Sequence, residues 1–287
     1  MSLVITGAGG KLGRRAAALL LESGDRSEGV VLITRRPDEL GDLAARGAEV
    51  RFGDFADPSS LGDAFAGATR VLLISTDVIG PARVRLHRNA IDAAKAGGAE
   101  LIAYTSIPNP APDNPAPVVP DHAATEEALR ASGVAWTFLR NALYAEFRIP
   151  EAQAALAGGT FAHNHGDGVT AYVSREDCAA TAAAVLLGGA EHHDKAYDIT
   201  GPQLFGGDDL AELYASVGGS PVEAVRVDDD TYAAGLVAHG VPEAAAPMLA
   251  SFGRAIREGK LDQLSGDVEA LTGRAPAALR DVLAGAV

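Results

Sequence analysis

Three glycines close behind the first apolar run set the chemistry this chain can hold. Gly7, Gly10 and Gly13 follow Leu3-Val4-Ile5-Thr6, and a helix-like stretch from Lys11 to Leu21 begins among them. A buried strand, a tight glycine turn and a helix N-terminus together make a cradle for a pyrophosphate, because the first helical N–H groups and the helix dipole both favour an anion there. Gly7 permits the sharp turn, Gly10 lets the backbone approach the phosphates, and Gly13 lets the helix lie close on the strand.

The second chemical signal lies at the end of the next apolar run, Gly29 to Thr34. An acid about 20 residues past the glycines would hold the ribose hydroxyls of NAD. Arg35 and Arg36 stand there instead. A guanidinium pairs with a 2′-phosphate, so the residues point to NADP(H), with NAD(H) left open. Further polar residues fall where strand ends should meet a ligand: Asp54 as an adenine contact, and Ser75 and Thr76 lining the cofactor. Asp57, before Pro58, suits a helix cap better than Asp54 does.

Elements able to position these groups can be read in order. Strands are expected at Leu3–Thr6, Gly29–Thr34, Ala48–Phe52, Val71–Thr76, Glu100–Ser106 and Val134–Arg140, with helices between them. Five strand–helix repeats followed by a further strand predict an α/β fold, a Rossmann-type doubly wound parallel sheet. The six prolines between Ile107 and Pro120 predict a loop at the mouth of the site. Beyond Asn141 the rhythm changes, with an irregular stretch from Phe161 to Val173 and helices near Arg175–Leu187 and Leu204–Ser216. The expected organisation is a dinucleotide-binding domain over residues 1–150 and a smaller α+β lobe over 151–287, with an approximate boundary across which elements can interleave.

Composition narrows the partners. The 287 residues carry a net charge of −14, which argues against nucleic acid and anionic membrane surfaces. No apolar run approaches the ~20 residues that span a bilayer. Met1-Ser2-Leu3 enters a strand at once, which leaves no room for a signal peptide, and Cys178 is the single cysteine, so the expected location is cytoplasmic. His163, His165 and Asp167 superficially resemble metal ligands, but the Gly166-Asp167-Gly168 turn and the lack of cysteine ligands argue against a metal; pocket lining is the alternative.

Taken together, Ile5 to Gly13, Arg35 before Pro37, Leu72 to Ser75, His87-Arg88-Asn89, Ala93 to Gly97, Leu101 to Ser106, His122 with Thr125-Glu126, and Leu139-Arg140-Asn141 with Tyr144 resemble the NmrA-like atypical short-chain dehydrogenases/reductases, and most of all their type-2 NAD(P)H:quinone oxidoreductases. The resemblance runs over nearly the whole chain. It implies an NADP(H)-binding Rossmann domain and a small lobe closing over a quinone pocket. Gly7, Gly10, Lys11, Leu12 and Gly13 would hold the pyrophosphate, with Thr6 a further cofactor contact, and Arg35 would meet the 2′-phosphate. Ser75, Thr105, Asn141 and Tyr144 would face the nicotinamide or the substrate.

Two departures matter. Relatives often read Thr-Glu-Lys where this chain reads Thr125-Glu126-Glu127, and the Tyr and Lys proton-transfer pair of ordinary short-chain dehydrogenases is missing from Asp121–Glu126. A quinone does not need that pair, because the hydroquinone anion is only modestly basic. His122 is a candidate proton donor, with Tyr144 the second catalytic candidate. The expected function is NADPH-dependent reduction of a quinone or related conjugated aromatic, by a monomer or homodimer acting on a small molecule. The alternatives are a non-catalytic NADP(H)-sensing regulator and a tailoring reductase or oxygenase of an aromatic polyketide.

Overall fold

The computed structural model describes residues 2–24 and 29–287. Strand β1 (Ser2–Ile5) passes through the glycine turn into α1 (Lys11–Glu22), and β2 (Gly29–Thr34) follows. Next come α2 (Gly41–Ala45), β3 (Glu49–Phe52), α3 (Leu61–Ala64), β4 (Ala68–Leu73), α4 (Pro81–Ala96), β5 (Leu101–Ser106), α5 (Val119–Ala131) and β6 (Ala135–Asn141). The second half holds β7 (Leu143–Tyr144), α6 (Arg148–Gly158), β8 (Thr160–His163), β9 (Thr170–Val173), α7 (Arg175–Gly188), β10 (Lys195–Ile199), β11 (Leu204–Phe205), α8 (Gly207–Gly218) and β12 (Glu223–Arg226). It ends with α9 (Asp229–Ala238), α10 (Ala246–Arg257), α11 (Asp267–Thr272) and α12 (Leu279–Ala284).

Seven strands form one sheet in the order β10-β6-β5-β4-β1-β2-β3, every neighbouring pair parallel. Strand order reverses between β1 and β4, and in such sheets ligands bind at the carboxyl ends beside that reversal. Strands covered on both faces must be apolar throughout, as Val4, Ile5, Leu32, Leu72 and Ile102 are. On one face α1 packs against α7 through buried alanines, Ala16, Ala17, Ala179 and Ala182 among them, which let the two helices approach closely. On the other face Phe65, Ile91, Leu129 and Phe138 fill the space under α3, α4 and α5. Leu210, Leu213, Tyr214, Phe161 and Leu283 make a third core in the lobe. A fourth joins the proline loop to α10 through Ile107, Val118, Ala255 and Ile256.

The expected doubly wound sheet with a smaller lobe is what the chain forms, with several local differences. Strand β4 stops at Leu73, not Thr76, because the Thr6 hydroxyl takes the Ile74 N–H at 3.0 Å and ends the ladder. The stretch expected to be irregular, Phe161–Val173, contains β8 and β9. Each has four residues and pairs only with distant strands, β8 with β12 and β9 with β7 and β11. Beyond residue 150, α7 and β10 return to the large sheet, so the halves interleave. Helix α5 starts at Val119 and accommodates Pro120 in its first turn, where a missing N–H costs nothing. Asp121 therefore lies inside the helix. Its carboxylate accepts the Gly80 N–H at 2.6 Å and anchors the start of α4 instead.

Candidate active site

The glycine turn sits on the carboxyl end of β1, beside the reversal of strand order. Gly7 has φ +61°, a conformation that a side chain strains. A Cβ on Gly13 would lie 2.6 Å from the Gly7 carbonyl oxygen and 2.9 Å from the Ala8 Cα, so α1 can dock here only with glycine. Gly10 differs: a Cβ there would meet nothing closer than the Gly7 oxygen at 3.3 Å, and the residue is exposed. Gly10 caps α1 with no side-chain hydrogen bond, and no acid occupies the first turn, so the field at this helix start is left for an anion. Exposed Lys11 adds a positive charge. The cradle fits a pyrophosphate. Leu12 is buried beneath it and can offer only its backbone.

Thr6 has a different part from the one expected. It is fully buried, and its hydroxyl donates to the Leu72 carbonyl at 3.1 Å while accepting from Ile74 N–H. The side chain ties β1 to β4 beneath the glycine turn.

At the end of β2 the two arginines separate. Arg36 pairs with Glu39 at 2.8 Å. Arg35 is exposed and has no hydrogen-bond or ionic partner among the described residues. The Ala8 N–H donates to the Ile33 carbonyl at 3.3 Å, and a Cβ on Gly9 would lie 3.4 Å from the Thr34 hydroxyl, so the end of β2, just before Arg35, abuts the turn. Asp54, beyond β3, is half-buried; one carboxylate oxygen accepts the Ala56 N–H at 2.9 Å.

Ser75 and Thr76 follow β4. The Ser75 N–H donates to the Thr105 hydroxyl at 2.9 Å, which joins the ends of β4 and β5. The Thr76 N–H donates to His87 Nε2 at 3.1 Å. That bond makes Nε2 an acceptor, so the proton sits on Nδ1, which reaches the Thr125 hydroxyl at 2.9 Å; Thr125 in turn donates to the Asp121 carbonyl. His87 is wholly buried, and burial, reinforced by the Arg83 charge, brings its pKa down to about 3. A neutral imidazole thus holds the Ser75–Thr76 backbone in place.

His122 does not suit the donor role expected of it. It is 7% exposed, between Tyr104 OH at 2.8 Å from Nδ1 and Arg83 Nη1 at 3.2 Å from Nε2. Arginine only donates, so Nε2 accepts and the ring is neutral; burial first, then Arg83 and His87, bring its pKa to about 3. As a neutral ring it keeps one N–H, on Nδ1 toward the Tyr104 hydroxyl, and it braces α4 and α5 against β5.

Asn141 closes β6. It is buried, and its Oδ1 has no partner among the described residues, an acceptor that a ligand N–H or O–H would complete. Tyr144 is half-buried, with the Arg175 guanidinium 5.2 Å from its ring centroid and Phe147 5.8 Å away. Burial, with Cys178 nearby, pushes its hydroxyl well above the usual phenol range, so it stays a donor at any working pH. Glu126, unassigned from the sequence, is 1% exposed and takes hydrogen bonds from Ser106 at 2.8 Å, Arg140 at 2.9 and 3.0 Å, and Arg130 at 3.1 Å, which clamps the ends of β5 and β6 to α5. Polar residues spaced for one helix face, Arg83 with His87 and His122 with Glu126, were the available signal for this buried layer. His163 and His165 lie in the lobe with ring centroids 5.3 Å apart. Among the described residues no group of three or more His, Cys, Asp and Glu side chains could hold a metal.

Comparison with known proteins agrees with this geometry. Residues 7–187 match the family model described as NAD(P)H-binding. Quinone oxidoreductase 2 of Escherichia coli is 38% identical over 248 residues, covering 86% of this chain and 85% of that protein. The crystal structure of the Escherichia coli NADPH-dependent quinone oxidoreductase with NADPH superposes with a TM-score of 0.92 at 34% identity, covering 99% of both chains. The triphenylmethane reductase of a Citrobacter species, complexed with NADP(H), gives a TM-score of 0.92 at 33% identity and covers all of both chains. An NmrA-like family domain-containing oxidoreductase of Aspergillus flavus is 27% identical over 292 residues, which span 99% of this chain and 94% of that one. A parallel sheet with its glycine cradle at the strand reversal, matched over its full length by such relatives, means that the chain belongs to the NAD(P)H-binding, NmrA-like oxidoreductases.

Proposed function

We propose that the protein reduces quinones, or conjugated aromatics of similar electron demand, with NADPH. The observation that carries the cofactor half is Arg35, an unpaired guanidinium beside the glycine turn where an NAD-selective site would carry an acid. The substrate half rests on the likeness to quinone oxidoreductase 2, together with a site that has no Tyr–Lys pair.

NADPH would supply a hydride, two electrons and a proton, to the quinone ring and leave a hydroquinone anion. The turn from Gly7 to Gly13 would hold the pyrophosphate, and Arg35 the 2′-phosphate. The Ser75–Thr76 backbone, fixed by His87 and Thr105, would set the floor beneath the nicotinamide. Asn141 Oδ1 would accept from the bound carboxamide or substrate, and the Tyr144 phenol would donate to a quinone oxygen as negative charge develops. Solvent water protonates the hydroquinone anion, which is why a neutral His122 is no obstacle.

Purified protein should oxidise NADPH in the presence of 1,4-naphthoquinone or benzoquinone and much more slowly with NADH. No quinone-dependent oxidation would overturn the substrate assignment. Tight NADPH binding without turnover would favour the second reading, a dinucleotide-sensing regulator, for which the missing Tyr–Lys pair also speaks.

A further inference from the structure

Beyond Tyr144 the chain carries a second aromatic ring that the reaction outlined above does not use. Phe147 ends the single turn Ala145–Phe147 between β7 and α6. It is 54% exposed, and its ring centroid lies 5.8 Å from that of Tyr144, with the two planes 37° apart. Contacting aromatic rings are spaced ~4.5–7 Å between centroids, so these two touch. The Tyr144 phenol is in turn close enough to the Asn141 side chain to feel its hydrogen bond. Asn141 is buried and Tyr144 half-buried, so the three side chains run from the closed end of β6 outward to solvent.

A single exposed phenylalanine is ordinary on a protein surface. This one is held in place. The Arg175 guanidinium lies 5.1 Å from the Phe147 centroid and 5.2 Å from that of Tyr144. With the rings 5.8 Å apart, the three centres form a triangle of nearly equal sides, so the cation sits to one side of the ring pair and not between the rings. Glu146 fixes Arg175 at both ends: its carboxylate accepts the Arg175 N–H at 2.9 Å and lies 3.7 Å from the guanidinium. The Arg175 side chain is only 19% exposed, so the cation backs both rings from within the protein. The exposed part of Phe147 therefore faces away from Arg175. It is an apolar ring of fixed orientation, in contact with the tyrosine whose phenol meets the quinone oxygen in the reaction outlined above. Phe147 offers neither charge nor hydrogen bond, so the group complementary to it is a further fused ring and not a polar substituent.

We propose that Phe147 is a specificity-determining residue, a platform on which the outer rings of a fused polycyclic quinone stack while Tyr144 meets the quinone ring. The proposal rests on the quinone-reductase reading for its substrate class. The test compares 1,4-anthraquinone with 1,4-benzoquinone, which share the quinone ring and differ by two fused rings, as the ratio of their kcat/KM values with NADPH. In Phe147→Ala that ratio should fall by about fivefold or more, the scale of one aromatic contact. The loss should lie in KM, because a stacked outer ring is bound alike in the ground and transition states. Phe147→Tyr keeps the ring and should hold the ratio within about twofold of wild type. Both variants alter a side chain that is more than half exposed, so they should fold, and their melting temperatures report this independently. An unchanged ratio in folded Phe147→Ala, or as large a loss in Phe147→Tyr, overturns the platform. If wild-type protein turns over neither quinone, the catalytic reading fails, and calorimetry decides on the platform separately. Affinity of NADP⁺-loaded protein for 1,4-anthraquinone should weaken by about fivefold or more in Phe147→Ala. Equal affinity in the two proteins, or no binding to wild type, would overturn the proposal.

Discussion

Replacing Arg35 by alanine should change the choice of cofactor and little else. The side chain is exposed and has no partner among the described residues, so its removal leaves no buried group unsatisfied and should not lower stability. A charge-assisted contact with a phosphate contributes about 1.5–3 kcal/mol. Exposure and salt screening place this one near the lower end, ~1.5 kcal/mol, which is roughly a tenfold loss of NADPH affinity. NADH has no 2′-phosphate and should bind Arg35→Ala as it binds the wild type. Arg36→Ala is the internal control: its guanidinium already pairs with Glu39 at 2.8 Å, so its loss should cost NADPH about twofold or less. Calorimetry with both cofactors, repeated at higher salt, measures all of this, and the Arg35 effect should shrink with ionic strength. Equal weakening of NADPH and NADH, or a larger effect from Arg36 than from Arg35, would refute the assignment.

Further outcomes follow from other parts of the site. Gly13→Ala should destabilise by about 1–3 kcal/mol, because its Cβ meets backbone at 2.6 Å that cannot yield; a thermal melt equal to wild type would contradict the docking argument. Glu126→Ala should cost about 3–5 kcal/mol in urea unfolding, since it leaves Arg140 and Ser106 without their buried partner; a loss below 1 kcal/mol would mean that the clamp is unimportant. Acid should weaken the fold. His87, His122 and His165 titrate near 3 when folded and near 6.5 when unfolded, so between those values the unfolded chain binds more protons and stability falls as pH falls. For three such groups the slope reaches roughly 4 kcal/mol per pH unit at most. A urea midpoint no lower at pH 5 than at pH 7.5 would show that these imidazoles are not held neutral.

Much of this was legible from residue order because the relevant signals are local. An apolar strand, glycines at fixed offsets and a following helix lie within the first 22 residues, and Arg35 directly follows the next strand. Parallel strands buried on both faces leave apolar runs that need no partner to be recognised. Less was legible where the determinant is non-local. Strand β9 has only four residues, and its partners lie at Leu143 and Leu204. The end of β4 is set by a hydroxyl 68 residues away in sequence. His122 looked available because the neighbours that neutralise it, Arg83 and Tyr104, sit on other elements. The return of α7 and β10 to the large sheet is equally invisible to composition, since alanine-rich helices read alike in either half.

Hydride transfer from NADPH to a quinone in this site is the step on which the proposed function stands or falls. The most direct measurement is a single-turnover stopped-flow reaction of protein-bound NADPH with 1,4-naphthoquinone, followed at the reduced nicotinamide absorbance and repeated with NADPH deuterated at C4. One NADPH should be lost per quinone consumed, with a primary isotope effect when the transferred position carries deuterium. Stable NADPH absorbance in the presence of excess quinone would contradict it.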